Sequence, residues 1–177
     1  MRRRKSSEGK YVLIFNATTI IVLRELQRGE LIDEIRKHGI AKVLIPQGVM
    51  NEFRRAGVQI DTPSNNIPAE HISKDEPMDV PPSLGEGERQ VIAVAHALTK
   101  SQSAGTVIVV TDDRKARKVC NKMGLNVIGT LGLIEFAKKH GVITKEEALN
   151  LLEKIPRTSL YLSPELLRKA QTKLRQQ

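Results

Sequence analysis

The sequence TVIVVTDDR, residues 106–114, decides the fold class of this chain. Its first five residues are all β-branched, and they predict a short strand that is fully buried. Asp112 and Asp113 follow this strand directly, and an amphipathic helix is predicted over 113–123. A buried strand that leads into such a helix is typical of a parallel sheet covered by helices.

The same alternation of short β-rich runs and amphipathic helices extends in both directions from this stretch. Because strands separated by helices pair in parallel, the expected fold is α/β with a central parallel sheet. Residues 61–83 are rich in Pro, Ser and Asn, so we expect an insertion or flap there, with one edge strand at 69–73. Further strands are predicted at 11–15, 42–45 and 126–128. Helices are predicted at 18–27, 31–38, 86–100, 131–140 and 144–154, and from 163 onward. Another helix is predicted after Pro46, and it carries Val49, Glu52 and Phe53.

The composition of the 177 residues fits one domain with an aliphatic core, since 40% are hydrophobic but only 3% are aromatic. Cys120 is the only cysteine, which excludes an internal disulfide and predicts a buried, inert thiol. Residues 1–5 are basic, but the apolar stretch at 11–15 is too short for a signal peptide, so a cytoplasmic location is expected.

The net charge of +9, from 29 Lys and Arg against 20 Asp and Glu, favours a polyanion such as RNA or DNA, or an acidic protein partner. The alternative is the charged surface of a thermophilic protein. Charge alone does not choose between them.

Polar side chains follow the strands at the edge where parallel sheets bind their ligands. Asn16 ends the first strand, Asp112 and Asp113 follow 106–110, and Glu52 and Glu88 lie near the core-facing sides of their helices. We expect these side chains to converge.

Each acid also has a structural interpretation. Glu52 could pair with Arg54 or Arg55, and one aspartate could cap the helix that follows it. Glu88 lies in the first turn of a helix, where the helix dipole favours a carboxylate. Ser83 and Glu86 match a capping box.

Oxygen ligands without Cys or paired His suit Mg2+ or Mn2+, ions that phosphoryl-transfer enzymes use to activate water and neutralise phosphate. Basic residues follow the acids in the sequence and predict phosphate binding. They are Arg54, Arg55, Arg114, Lys115, Arg117 and Lys118.

These motifs, in this order, resemble the PIN-domain superfamily over about 12–154, and most closely its VapC-like branch of toxin ribonucleases. The resemblance rests on the strand ending in Asn16-Ala17-Thr18, on Ile45-Pro46 with Val49 and Glu52, on Leu84-Gly85-Glu86-Gly87-Glu88 with Ile92 and Ala95, on Val109-Val110-Thr111-Asp112-Asp113-Arg114 with Ala116, and on Ile128-Gly129-Thr130-Leu131-Gly132.

The resemblance implies a three-layer α/β/α fold whose four acidic positions fall on Asn16, Glu52, Glu88 and Asp113, with Asp112 as a rival for the last. It implies that Thr111 supports these ligands or contacts phosphate. By the same resemblance the chain is a divalent-metal-dependent endoribonuclease, and homodimers and small antitoxin partners are common among similar proteins. Its domain would cover 11–154, preceded by a basic extension at 1–10 and followed by a basic helical segment at 155–177 that packs on the domain or on a partner.

Asn16 departs from this pattern, because most PIN nucleases have Asp there. An amide oxygen can still bind Mg2+, but one negative charge is lost and Asn cannot act as a base. The alternative function is therefore a non-catalytic PIN-like module that binds nucleic acid or protein. A Rossmann or P-loop enzyme is disfavoured, because the sequence has neither glycine-rich motif.

Overall fold

The structure, a computed structural model, describes residues 10–59, 66–67, 80–101 and 105–176. Within them, five parallel strands form one sheet in the order β3-β2-β1-β4-β5. Leu13 at its centre lies opposite Val43 on one neighbouring strand and Ile108 on the other. The strands are β1 (Tyr11–Phe15), β2 (Ala41–Pro46), β3 (Asn66–Ile67), β4 (Thr106–Val110) and β5 (Asn126–Ile128).

Helices cover both faces of this sheet. Four consecutive residues of β1, from Val12 to Phe15, are buried although successive side chains point to opposite faces. The α/β class and the three-layer α/β/α arrangement are thus confirmed. The helices are α1 (Ala17–Glu25), α2 (Leu31–Lys37), α3 (Gln47–Arg55), α4 (Glu86–Ser101), α5 (Arg114–Lys122), α6 (Thr130–Lys139), α7 (Lys145–Lys154) and α8 (Pro164–Gln176).

Strands β1, β2, β4 and β5 lie where the hydrophobic pattern predicts them, within one residue. The predicted edge strand at 69–73 lies outside the described residues. On the side of β2 away from β1, the described strand is Asn66–Ile67, within the predicted insertion.

Helices α1, α5 and α6 are among those that begin one residue away from the predicted start. Helix α1 starts at Ala17, one residue before the prediction, with Asn16 as its N-cap. Helix α5 starts at Arg114, one residue after the prediction, because Asp113 is its N-cap rather than its first helical residue. A cap has extended backbone angles and its side chain accepts a backbone N–H, which the apolar periodicity does not reveal.

The C-terminal segment packs on the rest of the fold. Ala170 and Leu174 of α8 are buried, and α8 contacts α7. Before α8, the backbone N–H and the hydroxyl of Ser159 both donate to the Glu25 carboxylate, at 2.8 and 2.9 Å. The segment before α8 is therefore held against α1 at Ser159. Among the described residues, no helix has the length and apolar character that crossing a bilayer requires.

Candidate functional site

Asn16 and Thr111 connect the carboxyl ends of the neighbouring strands β1 and β4. The Asn16 side-chain oxygen accepts the Ala17 N–H at 2.8 Å, which caps α1 and fixes the orientation of the amide. Its Nδ2 donates to the Thr111 hydroxyl at 3.1 Å. Both side chains are buried, with 2% and 0% exposure, so this contact is part of the interior.

The Thr111 hydroxyl also receives the Asp113 N–H at 3.1 Å. Thr111 thereby positions the residue that follows it on the chain. The Thr111 side chain is fully buried, so its hydroxyl lies in the interior of the fold. Its supporting role agrees with the geometry.

Asp112 and Asp113 have different environments. Asp112 accepts hydrogen bonds from the Thr19 hydroxyl (3.0 Å), the Thr130 hydroxyl (2.6 Å) and the Thr130 N–H (2.9 Å). Both of its oxygens are engaged, so it ties α1 and the start of α6 to the end of β4. Asp112 therefore has a structural role at this edge of the sheet, with more hydrogen bonds to its carboxylate than Asp113 accepts among the described residues.

Within the described residues, Asp113 uses only one oxygen as a hydrogen-bond acceptor. Its Oδ1 accepts the Ala116 N–H at 2.8 Å and caps α5. Asp113, the residue that the resemblance favours over Asp112, is therefore the cap of α5.

Glu52 and Glu88 meet at the N-terminus of α4. Glu88 reaches back to the Gly85 N–H at 2.8 Å, while Glu52 of α3 accepts the Gly87 N–H at 2.9 Å. Glu88 thus provides the carboxylate half of a capping box. Glu86, which the sequence paired with Ser83, instead forms an ion pair with Arg55 at 3.1 Å.

The glycines of Gly85-Glu86-Gly87-Glu88 make room for these carboxylates. A Cβ on Gly87 would lie 2.7 Å from the Glu52 Oε1, and a Cβ on Gly85 would lie 3.3 Å from the same oxygen and 3.6 Å from the Glu88 Oε2. The two carboxylates therefore flank Gly85. Sequence reasoning noted this motif but not its steric role.

Glu52, Glu88 and Asp113 interact electrostatically. Burial raises the pKa of Glu88, and the negative charges of Asp113 and Glu52 raise it further, against the opposing effects of the Gly85 N–H and Lys115. The proximity of three carboxylates has an electrostatic cost that a cation would remove.

The chemistry of this donor set fits a divalent cation. Within the described residues, each of the three carboxylates has one oxygen held by a backbone N–H and a second oxygen without a hydrogen bond to the protein. No group of three His, Cys, Asp or Glu side chains in that part of the chain is already arranged around one point as a metal site. Binding would therefore require the free oxygens to turn toward a common ion.

Five of the six predicted phosphate-binding cations divide into two groups, and the sixth, Lys118, is exposed on α5. Arg117 donates to the Thr111 carbonyl at 3.1 Å, Arg54 donates to Asn51, and Arg55 pairs with Glu86, so these three have structural partners. Arg114 and Lys115 are exposed and line a groove beside Asp113. No hydrogen bond or ion pair to a described residue engages either of them.

The sequence pattern did not predict the roles of three threonines that contact Asp112, namely Thr18, Thr19 and Thr130. Thr18 accepts the Asp112 N–H at 3.1 Å, and the other two hold its carboxylate. The available signal was their position, since all three threonines lie just after the carboxyl end of a strand.

Comparison with known families agrees with this geometry. A family model described as a PIN domain matches residues 12–176, which is nearly the whole chain. No curated protein and no solved structure matches it. PIN domains are generally nucleases that use divalent metals, and the three carboxylates lie at the sheet edge where such chemistry is expected. The chain therefore belongs to the PIN-domain family.

Proposed function

We propose that this protein is a divalent-metal-dependent endoribonuclease whose catalytic centre is formed by Glu52, Glu88 and Asp113. One observation carries the proposal: each carboxylate is fixed through one oxygen to a backbone N–H, while its second oxygen lacks a protein partner within the described residues. Three fixed acids with free oxygens suit cation binding better than helix capping alone.

Glu52, Glu88 and Asp113 would hold the ion, Mg2+ or Mn2+. A bound ion of this kind supplies Lewis acidity that helps a water molecule attack phosphorus and neutralises charge on the phosphate. Arg114 and Lys115 would bind the backbone phosphates next to the scissile bond, since both are exposed beside Asp113. Thr111, which is bound by Asn16, would position Asp113 by accepting its backbone N–H.

Asn16 has a connecting role in this proposal. Its oxygen is committed to the Ala17 N–H and its nitrogen to Thr111, so it holds the ends of β1 and β4 together without adding charge. A centre with three carboxylates binds a cation less strongly than one with four. We therefore expect weak metal binding and activity that depends on the metal concentration.

The finer proposal is that the protein is the cytoplasmic toxin of a toxin–antitoxin pair, acting on RNA as a homodimer and inhibited by a small antitoxin. Its support is the resemblance of the motifs to the VapC-like branch and the net charge of +9. An antitoxin segment with acidic residues would complement the cations beside Asp113.

The decisive experiment is a ribonuclease assay with Mg2+ and Mn2+ on the wild type, Glu52→Gln and Asp113→Asn, with Glu86→Gln as a charge-matched control outside the cluster. We expect the first two variants to lose cleavage and the control to keep it. Thermal unfolding with added Mn2+ gives a second readout, because an ion that binds the folded state raises Tm. Cleavage that survives Glu52→Gln contradicts the proposed centre.

The second candidate is a non-catalytic PIN-like module that binds nucleic acid, and Asn16 is the observation that favours it. Asn16→Asp distinguishes the two. If the wild type is silent and this variant cleaves RNA, the protein is a weakened nuclease. If no variant cleaves RNA or shows a Tm shift with metal, the binding module is correct.

A further inference from the structure

Two adjoining grooves meet at Asp112 and Arg114, next to Asp113. The first, the α1–α5 groove, has a volume of about 440 Å³ and is lined by Thr18, Ile21, Asp113, Arg114, Lys115 and Leu160. The second, the α6–α8 groove, has a volume of about 550 Å³ and is lined by Ile128, Leu131, Tyr161, Leu166 and Lys169, among others. Arg114, Asp112 and Leu160 line both, so the grooves form one path from the acids to α8.

The large hydrophobic side chains that the described part of the chain exposes all lie on this path. They are Ile21 with 41% exposure, Leu166 with 47% and Tyr161 with 77%. Tyr161 is one of only two tyrosines, and the chain has no Trp. An aromatic ring this exposed gains little from the core, so its position points to a ligand.

Tyr161 is presented by a well-anchored segment. Ser159 is held by two hydrogen bonds to Glu25, and the Thr158 hydroxyl donates to the Ile155 carbonyl at 2.7 Å. On the other side, Ala170 and Leu174 bury α8 against the fold. The ring is thus displayed on a fixed backbone, which lowers the entropic cost of stacking.

Charge along the path indicates the class of ligand. Neither Arg114 nor Lys115 forms a hydrogen bond or ion pair with a described residue, and the exposed Lys169 forms an ion pair with Glu165 of its own helix. Of the acids there, Asp112 is engaged by threonines and Glu135 by Lys173, while Asp113 belongs to the carboxylate centre at the end of the path. Protein-binding patches are depleted of charge at their centre, whereas isolated aromatic residues between cations are typical of single-stranded nucleic acid sites.

We propose that this path binds single-stranded RNA, with an unpaired base stacked on Tyr161 and backbone phosphates bound by Arg114 and Lys115. The inference rests on the proposed function, because it places the scissile phosphate at Asp113 and the neighbouring nucleotides along α8. Tyr161 is then a substrate-binding residue outside the carboxylate centre.

The test measures binding of a short fluorescein-labelled oligouridylate in EDTA, where metal-dependent cleavage does not occur. Tyr161→Leu keeps apolar area but removes the aromatic face, and we expect it to raise the Kd for the oligouridylate about 5- to 150-fold. Tyr161→Phe keeps the ring and should bind like the wild type. Tyr161→Trp introduces the single Trp of the chain, whose fluorescence should be quenched when the RNA binds.

A second pair of variants tests the phosphate contacts. Arg114→Gln should weaken binding and reduce the slope of log Kd against log salt by about one, because one phosphate contact is lost. Lys37→Gln removes the same charge from the exposed face of α2 and should leave the slope unchanged. An abasic oligomer of equal length should bind the wild type and every Tyr161 variant with the same affinity, because it has no base to stack on the ring.

Equal RNA affinity of the wild type and Tyr161→Leu overturns the inference, and assigns the exposed apolar residues to a protein partner instead. Absence of oligouridylate binding by the wild type also overturns it. Failure of the nuclease proposal is separate, because the binding measured here requires neither metal nor cleavage.

Discussion

The Glu52 carboxylate caps α4 by accepting the Gly87 N–H at 2.9 Å, across a separation of 35 residues. Gly85, at the N-cap of α4, has no side chain that could accept this N–H, so the cap comes from α3. This contact fixes Glu52, a candidate metal ligand, at the N-terminus of α4, the helix that carries Glu88.

This relationship predicts that Gly87→Ala damages both stability and activity. Its Cβ would lie 2.7 Å from Glu52 Oε1, so the carboxylate must move away from the helix terminus. We expect a loss of about 1–3 kcal/mol in the free energy of unfolding, as for other overpacked sites, together with reduced cleavage. Urea unfolding and the ribonuclease assay measure the two effects. Gly29→Ala is the control, because its Cβ would come no closer than 3.6 Å to Arg24, and equal behaviour of the two variants contradicts the cap.

The neighbouring aspartates should respond oppositely to amide substitution. Asp112→Asn weakens hydrogen bonds to Thr19 and Thr130, and we expect a loss of about 1.5–3 kcal/mol because the acceptor is charged. Asp113→Asn keeps the cap of α5, since Asn caps about as well as Asp, so stability should change little while cleavage is lost. Chemical denaturation combined with activity separates the two residues. A larger stability loss for Asp113→Asn would show that the assignment is reversed.

Glu88 predicts a dependence of stability on pH. Its pKa is raised in the folded state, chiefly by burial and then by Asp113 and Glu52, so in the window above the ordinary Glu pKa the folded state binds more protons than the unfolded state. Stability from this group therefore falls as pH rises through that window. Glu88→Gln removes the titration and keeps an acceptor for the Gly85 N–H, so its Tm should exceed the wild-type Tm at neutral pH and the difference should shrink toward acid pH.

Thermal unfolding from about pH 4 to about pH 8 measures this difference. Glu86→Gln is the matched control, because it removes an ion pair with Arg55 and should not raise Tm at neutral pH. A Tm difference for Glu88→Gln that is constant with pH would argue against the raised pKa.

Cys120 should be unreactive in the folded protein. Its side chain has 0% exposure, and burial raises the pKa of the thiol to about 11. Because the thiolate is the reactive form, labelling with a thiol reagent at pH 8 should be slow in buffer and rapid in denaturant. Rapid labelling in buffer would mean that α5 opens readily from the sheet.

The sequence by itself determined the layers of this protein. Strand β4 and the helix after it could be predicted because hydrophobic periodicity is a local property of the chain. For a similar reason the sequence could offer Glu52, Glu88 and Asp113 as candidate metal ligands, since each was chosen by its position on a helix or directly after a strand. The buried thiol of Cys120 followed from the same helical pattern.

Only the tertiary structure decided what each polar group does. Asp112 and Asp113 are neighbours in the sequence, but the packing of α1 and α6 places Thr19 and Thr130 on the former, while one oxygen of the latter has no hydrogen bond to a described residue. The groove at Tyr161 likewise forms where α8 folds back beside β5. Such contacts join residues far apart in the chain, so no local pattern encodes them, and their geometry arises from how the helices pack on the sheet.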